Sequence, residues 1–389
     1  MNRTTVTVLA GLACAMLTSS TLPVTVTAAA ADRPRLGDVQ KSLTELANSS
    51  KVVGAIGAVY VDGKRADKGT AGSRLLNDGG GRIPADARFR VGSQTKAMTQ
   101  VVIMKLVTEG KLALDDKLSD VLPVVAEKDL VERADEITVE QLIHHTSGIP
   151  NWYTPELVDF FDFTTYFSPM ELVKKSRTVP RTQEPGEKFS YSNTNYMLLG
   201  LIIEKLTKKT VAAEFERRIF DPLHMDDTYL PVAFPGGVKG PHGHGYFPDK
   251  NGKLRDVDRL NMSYGYAAGG VISTTDDLSA FHRAFARDLL TKQEKDALNA
   301  GRPDAEPRPS GSADGKPADP SVCGGQGEAG QGQYGTVKGS ASGFNAATYG
   351  SRDGRVQFVV SATLAVHNND PALDSLLKKA AEAVLCPKG

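Results

Sequence analysis

Strand-forming segments at the two ends of the chain, separated by a long helical middle, constrain the fold most. Near the start, Val52–Val61 is apolar and rich in β-branched residues, which is typical of a buried strand, and 65–73 follows it as a hairpin partner. Near the end, residues 337–349 and 356–365 have the same character. The sequence therefore predicts a mixed α and β fold, with a sheet built from both ends and a helical region inserted between them.

Helical spacing of apolar residues predicts most of the remaining elements. The predicted helices cover 40–46, 93–109, 115–122, 138–145, 156–163, 169–175, 195–206, 211–219, 276–285 and 371–384. These elements divide a domain over 32–389 into an α/β lobe at about 32–110 and 260–389 and a helical lobe at about 111–259. Residues 301–333 are rich in Gly, Pro, Ser and Asp, and a flexible loop is expected there.

The first 31 residues have the pattern of a secretory signal peptide. Arg3 precedes an apolar stretch over 6–17, and a run of alanines leads to the charged Asp32. The apolar stretch is too short and too interrupted for a transmembrane helix. We therefore expect a cleaved signal, a secreted protein and no stable membrane insertion.

Charge and cysteine content narrow the function further. Lys plus Arg equals Asp plus Glu at 46 each, so the chain lacks the basic surface expected of a nucleic-acid-binding protein. Cleavage of the signal would remove Cys14 and leave Cys323 and Cys386, and two cysteines in an oxidising compartment usually pair. A disulfide between them is expected; two free thiols are the alternative.

The first candidate catalytic motif is Ser93-Gln94-Thr95-Lys96, at the start of an apolar helix. A serine hydroxyl needs a base to act as a nucleophile, and residues three apart on a helix share a face. Burial would lower the proton affinity of the Lys96 amine, so that it can accept the proton of Ser93. The motif alone is weak, because Ser93 can equally serve as a plain helix cap.

Two later motifs carry the other candidate residues. In Tyr191-Ser192-Asn193 the phenol can relay a proton and the amide can orient a substrate, although a turn with an Asn cap is the simpler interpretation. In 334–344, Lys338, Gly339 and Ser340 place a cation and two small residues on a late strand. Small residues allow a substrate backbone to lie along a strand edge, and the Ser340 N–H can supply an oxyanion donor.

The order and spacing of the three motifs resemble those of the serine β-lactamases and penicillin-binding proteins, in the branch that holds class C β-lactamases and Streptomyces-type D-alanyl-D-alanine carboxypeptidases. Flanking segments at 89–93, 141–150, 185–186 and 269–278 also resemble the family's, and the similarity runs over about 38–381.

This resemblance implies an antiparallel sheet flanked by helices beside an all-helical lobe, with the site between them. It also implies that Ser93 is the nucleophile, Lys96 its activating partner, Tyr191 the general acid/base and Asn193 a substrate ligand. The N–H groups of Ser93 and Ser340 would form the oxyanion hole. His145, in the family's H-T-S-G element, would pack behind the site.

The third motif departs from the family's pattern, which has Lys or His at its first position. Val337 stands at that position and Lys338 follows it. Because strand residues alternate between faces, Lys338 is not expected to replace the missing cation.

Metal chemistry is not expected from the sequence. His242-Gly243-His244 and His144-His145 lack the spacing of helical metal ligands and have no cysteine nearby. We predict no metal and no cofactor, a small peptide, ester or β-lactam substrate, and a monomer. The function predicted first is a D-alanyl-D-alanine carboxypeptidase acting on cell-wall peptides. A class C-like β-lactamase or esterase, and a weakly active penicillin-binding protein, are the alternatives.

Overall fold

A computed structural model describes residues 34–231, 237–301, 322–323 and 334–387. The predicted signal peptide and most of the predicted loop at 301–333 lie outside the described residues. Within them, the division into an α/β lobe and a helical lobe stays a prediction.

The strands come from both ends of the chain, as the sequence predicts. They are β1 Val52–Val61, β2 Lys64–Gly72, β3 Phe89–Arg90, β4 Tyr246–Pro248, β5 Leu254–Asp256, β6 Ile272–Ser273, β7 Tyr334–Ala341, β8 Phe344–Ser351 and β9 Val356–Leu364. The main sheet is five-stranded, in the order β2-β1-β9-β8-β7, and every pair in it is antiparallel.

Helices precede, separate and follow the strands. They are α1 Val39–Ala47, α2 Thr95–Thr108, α3 Leu118–Val121, α4 Val124–Glu127, α5 Val139–Ile143, α6 Pro169–Ser176, α7 Asn193–Thr207, α8 Val211–Phe215, α9 Tyr266–Gly269, α10 Thr275–Arg287, α11 Lys292–Asn299 and α12 Pro371–Leu385. The predicted fold class, an antiparallel sheet flanked by helices with helices inserted between its halves, is confirmed. Among the described residues, no helix has the length and apolar composition needed to cross a bilayer.

The two faces of the main sheet pack against different helices. Phe358 and Ala347 belong to a core with α1 and α12, whereas Val359 and Ala346, one residue along each strand, belong to the larger core around α2. This alternation is the period of a strand whose two faces are both buried. The sheet therefore separates a face covered by α1 and α12 from a face that carries α2.

Two sequence predictions of elements are wrong. The segment 337–349, predicted as one strand, is a hairpin, because Gly343 has a φ of +79° and reverses the chain between β7 and β8. The helix predicted over 156–163 is absent: Asp159 accepts a hydrogen bond from the N–H of Phe161, and Asp162 accepts from that of Thr164. Such local bonds compete with helical ones.

Candidate active site

The nucleophile candidate lies where the chain turns from β3 into α2. Gly92, Ser93 and Gln94 form one 3₁₀ turn before Thr95 begins α2. Gly92 has a φ of +55°, and a Cβ on it would lie 2.5 Å from the Ser340 nitrogen. A Cβ on Gly339 would lie 2.7 Å from the Ser93 nitrogen. Only glycine permits this approach, which brings the backbone of β7 against the Ser93 turn.

Three predicted catalytic side chains meet at the hydroxyl of Ser93. The Oγ atom of Ser93 lies 2.8 Å from the Tyr191 hydroxyl and 3.2 Å from the Nζ atom of Lys96. Tyr191 comes from the loop before α7, whereas Lys96 is on the first turn of α2. The structure thus brings together residues that are 98 positions apart in sequence.

The surroundings of Lys96 favour a neutral amine. Its Nζ atom donates to the Ala268 carbonyl at 2.7 Å and to Oδ1 of Asn193 at 2.8 Å. In the neutral amine these two acceptors would use both N–H bonds and leave the lone pair for Ser93. Burial lowers the pKa of Lys96 well below its usual value, because the charged form loses its hydration.

Tyr191 stays protonated at neutral pH. Burial raises its pKa to about 12, and the hydrogen bond with Ser93 opposes that shift only in part. A protonated phenol beside the nucleophile can donate a proton or relay one. The Lys96 Nζ atom also lies 4.9 Å from the centroid of the Tyr191 ring.

His145 packs behind Tyr191, as the resemblance implies. The two ring centroids are 4.5 Å apart, and Nδ1 of His145 accepts a hydrogen bond from the N–H of Ser192 at 3.1 Å. Burial lowers the pKa of His145 well below its usual value, because the charged imidazolium would lose its hydration. The neutral imidazole therefore holds the Tyr191 loop without adding charge to the site.

Asn193 lines the site, but its amide is positioned by a residue that sequence reasoning missed. Its Nδ2 atom donates to Oδ1 of Asn151 at 3.3 Å, and its backbone N–H donates to the same oxygen at 3.0 Å. Asn151 directly follows the segment 141–150 that was used for the resemblance, so its position in sequence was the available signal.

A cavity of about 80 Å³ opens at Ser93. Its walls include Ser340 of β7, and also Tyr153, Leu260, Met262 and Tyr264. Tyr153 lines the cleft. Trp152 beside it is fully buried in the core. The cavity thus offers an aromatic and apolar surface to one side of the nucleophile.

Lys338, a candidate substrate-binding residue in the sequence, lies on the face of β7 that is turned away from Ser93. Lys338 pairs in register with Ala347, which faces α12, and its Nζ atom donates to Asp374 of α12 at 2.8 Å. Val337 pairs with Thr348, whose hydroxyl donates to Gln94 beside the nucleophile. Strand alternation therefore turns Lys338 away from the site and leaves Val337, 38% exposed, on the site's face of the sheet.

The sequence matches the Beta-lactamase family over residues 39–382. The chain belongs to this family. The predicted membership in this superfamily of serine hydrolases is confirmed.

Individual relatives share part of the chain or its whole fold. The chain is 34% identical over 187 residues to penicillin-binding protein 4 of Amycolatopsis lactamdurans, covering 48% of this chain and 47% of the relative. It is 32% identical over 192 residues to an N-acetylmuramyl-L-alanine amidase of Bacillus subtilis, covering 46% and 43%. The chain thus matches less than half the length of these curated relatives.

Solved structures match over most of their length. A D-stereospecific amidohydrolase from Streptomyces sp. has a TM-score of 0.70 and 26% identity, with 90% of this chain and 98% of that chain covered. A D-amino acid amidase from Ochrobactrum anthropi, at 22% identity with coverage of 89% and 96%, has a TM-score of 0.70 and shows the same fold.

Proposed function

We propose that this Beta-lactamase-family protein is a secreted serine amidohydrolase that forms an acyl-enzyme at Ser93. The observation that carries the proposal is the position of the Ser93 hydroxyl, within hydrogen-bond reach of both the Tyr191 phenol and the Lys96 amine. A nucleophile, a base with a lowered pKa and a proton relay are the groups that acyl transfer needs.

The geometry supports the following sequence of proton transfers. Ser93 attacks the carbonyl carbon while its proton passes to Lys96, and the developing oxyanion is bound by the N–H groups of Ser93 and Ser340. The C–N bond breaks as the leaving nitrogen takes a proton through Tyr191. Water then attacks the ester, gives up its proton along the same path, and releases the acid and Ser93.

The leaving group favoured by the site is uncharged. Val337 lacks a charge, and Lys338 is bonded to Asp374. A leaving group that carries a carboxylate would therefore meet no uncommitted cation among these residues. Similarity to a D-stereospecific amidohydrolase supports a D-aminoacyl amide as the substrate, with its side chain against Tyr153 and Met262.

The second candidate is the D-alanyl-D-alanine carboxypeptidase predicted from the sequence. It is favoured by the 34% identity to a penicillin-binding protein over 187 residues. A carboxypeptidase must hold the terminal carboxylate of its substrate, so the two candidates differ in how strongly they depend on that charge.

A matched pair of substrates distinguishes them. We would measure kcat/KM for an N-acyl-D-Ala-D-Ala peptide and for the same peptide with a terminal carboxamide, and follow the acyl-enzyme by intact mass. An amidohydrolase should cleave the carboxamide at least as fast as the acid, whereas a strong preference for the acid would establish the carboxypeptidase. Ser93→Ala should abolish turnover of both.

The same assay tests the remaining alternatives. Rapid nitrocefin or ester turnover without amide cleavage would favour a β-lactamase or esterase, and stoichiometric acylation without turnover would favour a weakly active penicillin-binding protein. If no β-lactam, ester or amide acylates Ser93, the proposal is wrong.

A further inference from the structure

We propose that His242, His244 and Asp258 form a binding site for a divalent transition-metal ion of the zinc class, outside the catalytic site. The two histidines lie in the loop before β4, and Asp258 follows β5. Their nearest ligand atoms all lie within 4.8 Å of one another. The spacing of neighbouring residues predicted no metal here. It does not show that the β4-β5 hairpin brings Asp258 to the histidines.

Each imidazole is held by its other nitrogen, as in a metal-bound histidine. Nδ1 of His242 lies 2.6 Å from the Gly240 carbonyl, which can only accept, and Nδ1 of His244 lies 2.8 Å from Oδ2 of Asp256. Both Nδ1 atoms therefore carry the proton, and both Nε2 atoms face Asp258. Protein partners of this kind fix the tautomer and orientation of metal-ligating histidines.

The carboxylate of Asp258 bridges the two rings. Oδ1 lies 2.6 Å from Nε2 of His242, and Oδ2 lies 4.0 Å from Nε2 of His244. Without a metal, Nε2 of His242 needs a second proton to bond with Asp258. A metal ion would take the place of that proton, which leaves to solvent, and would bind both nitrogens and one carboxylate oxygen.

The space and the charge suit such an ion. Zinc bonds of about 2.1 Å imply separations of about 3.4 Å between the ligand atoms of a tetrahedral site. Side-chain rotations that move the ligand atoms by about 1 Å therefore suffice. Asp256 and Asp258 supply two negative charges for a divalent ion. Two imidazoles favour Zn²⁺ over Mg²⁺ and Ca²⁺, which prefer oxygen ligands.

The surrounding cations fix the backbone of the ligand residues. Nε of Arg74 donates to the His242 carbonyl at 3.1 Å, and Nη2 of Arg90 donates to the Asp258 carbonyl. Each guanidinium group thus anchors one of the two ligand segments. Asp258 also precedes Leu260 and Met262 in the wall of the Ser93 cavity, so the ion would fasten that wall to β4.

Calorimetric titration of the chelator-treated protein with Zn²⁺ alone tests the site. We expect one equivalent to bind with micromolar or tighter affinity and to raise the melting temperature. Mg²⁺ and Ca²⁺ should do neither. Ser93→Ala should bind Zn²⁺ like the parent, so failure of the proposed catalytic function would leave this result unchanged.

Three variants make the test specific. His244→Gln removes a ligand and should abolish the binding. Asp256→Asn keeps all three ligands and should weaken it by about 10- to 100-fold. His224→Asn, which changes an exposed histidine elsewhere, should leave it unchanged.

Absence of saturable binding would overturn the proposal and leave the cluster as an ion pair. Equal affinity in a folded His244→Gln variant would overturn it as well. If His244→Gln fails to fold, the Asp256→Asn variant decides, and parent-like affinity there counts against the site.

Discussion

At Lys96, burial and hydrogen bonding make a definite prediction about pH. Acylation requires the neutral amine, so its rate should rise as pH increases through the lowered pKa of Lys96 and then level off below the usual lysine range. Stopped-flow acylation by an activated ester across the pH range measures this. A rate that rises only above pH 10 would identify an ordinary ammonium group and contradict the assignment.

Replacing Lys96 with arginine tests whether the side chain at this position must accept a proton. A guanidinium cannot lose its proton in a protein, so Lys96→Arg puts a permanent positive charge in place of the neutral amine and supplies no base. We expect it to slow acylation by about 100-fold or more at every pH, without a pH-dependent recovery. Partial activity that rises with pH in this variant would show that another group accepts the proton of Ser93.

Removing the phenol tests the proton relay separately. Tyr191→Phe keeps the ring against His145 but loses the hydroxyl 2.8 Å from Ser93. We expect kcat/KM for amides to fall by about 100- to 10,000-fold. Activated esters should lose less, because their leaving groups need no proton. Equal losses on both substrates would place Tyr191 in orienting Ser93 instead.

Residue types and spacing predicted the reacting groups but not the residues that position them. Ser93, Lys96, Tyr191 and Asn193 could be predicted because each is in a short motif of residue types with recognisable chemistry. Asn151 was missed because its role depends on a hydrogen bond to a residue 42 positions away, which no local pattern encodes.

At the level of elements, β7 decides which side chains face the substrate. Val337→Lys would place a cation on the site's face of the strand. A charge-assisted hydrogen bond contributes about 1.5–3 kcal/mol, so we expect the preference for the acid over the carboxamide peptide to rise at least tenfold. The kcat/KM ratio of the two peptides measures this.

The neighbouring residue supplies the matched control. Lys338→Met, on the opposite face and bonded to Asp374 in the parent, should leave the substrate ratio unchanged. If Lys338→Met changed the substrate ratio as much as Val337→Lys does, the different effects expected of the two positions could not be due to the faces of the strand on which they lie.

Helix α10 is joined to the nucleophile turn by one buried histidine. Nε2 of His282 lies 2.8 Å from Oε1 of Gln94, and burial lowers the pKa of His282 to about 4. Below pH 6.5, His282 binds a proton in the unfolded chain but not in the folded chain. The free energy of unfolding therefore falls as pH falls toward 4. We expect this group to contribute a loss on the order of 2–3 kcal/mol between pH 7 and 4.5.

The His282→Gln variant isolates that contribution. It removes the titrating group while keeping a side chain that can donate to Gln94. Denaturant unfolding at the two pH values should show a smaller acid loss than in the parent, whereas His224→Asn should show the parental loss. An acid loss of parental size in His282→Gln would show that other groups cause it.

For the whole molecule, hydrophobic periodicity and motif order were enough to predict the fold class. The antiparallel order of the sheet followed from the family resemblance, since periodicity does not encode which strands pair. The β4-β5 hairpin and its His242, His244 and Asp258 cluster were not predictable, because the cluster forms only when the hairpin closes. Secretion and a monomeric state stay predictions.

The last prediction concerns how the chain's end is fastened to the sheet. Cys386 follows α12 and Cys323 lies beside buried Val322, and their Cα atoms are 6.0 Å apart, a separation that permits a disulfide. With a sequence separation of 63, loop closure implies a stabilisation of about 4 kcal/mol in the chain-entropy model. The secreted form that we propose should show no thiol in denaturant and two after reduction. A Cys323→Ser/Cys386→Ser double variant should unfold at a lower denaturant concentration and be insensitive to reductant. Two titratable thiols in the unreduced secreted protein would contradict the pairing.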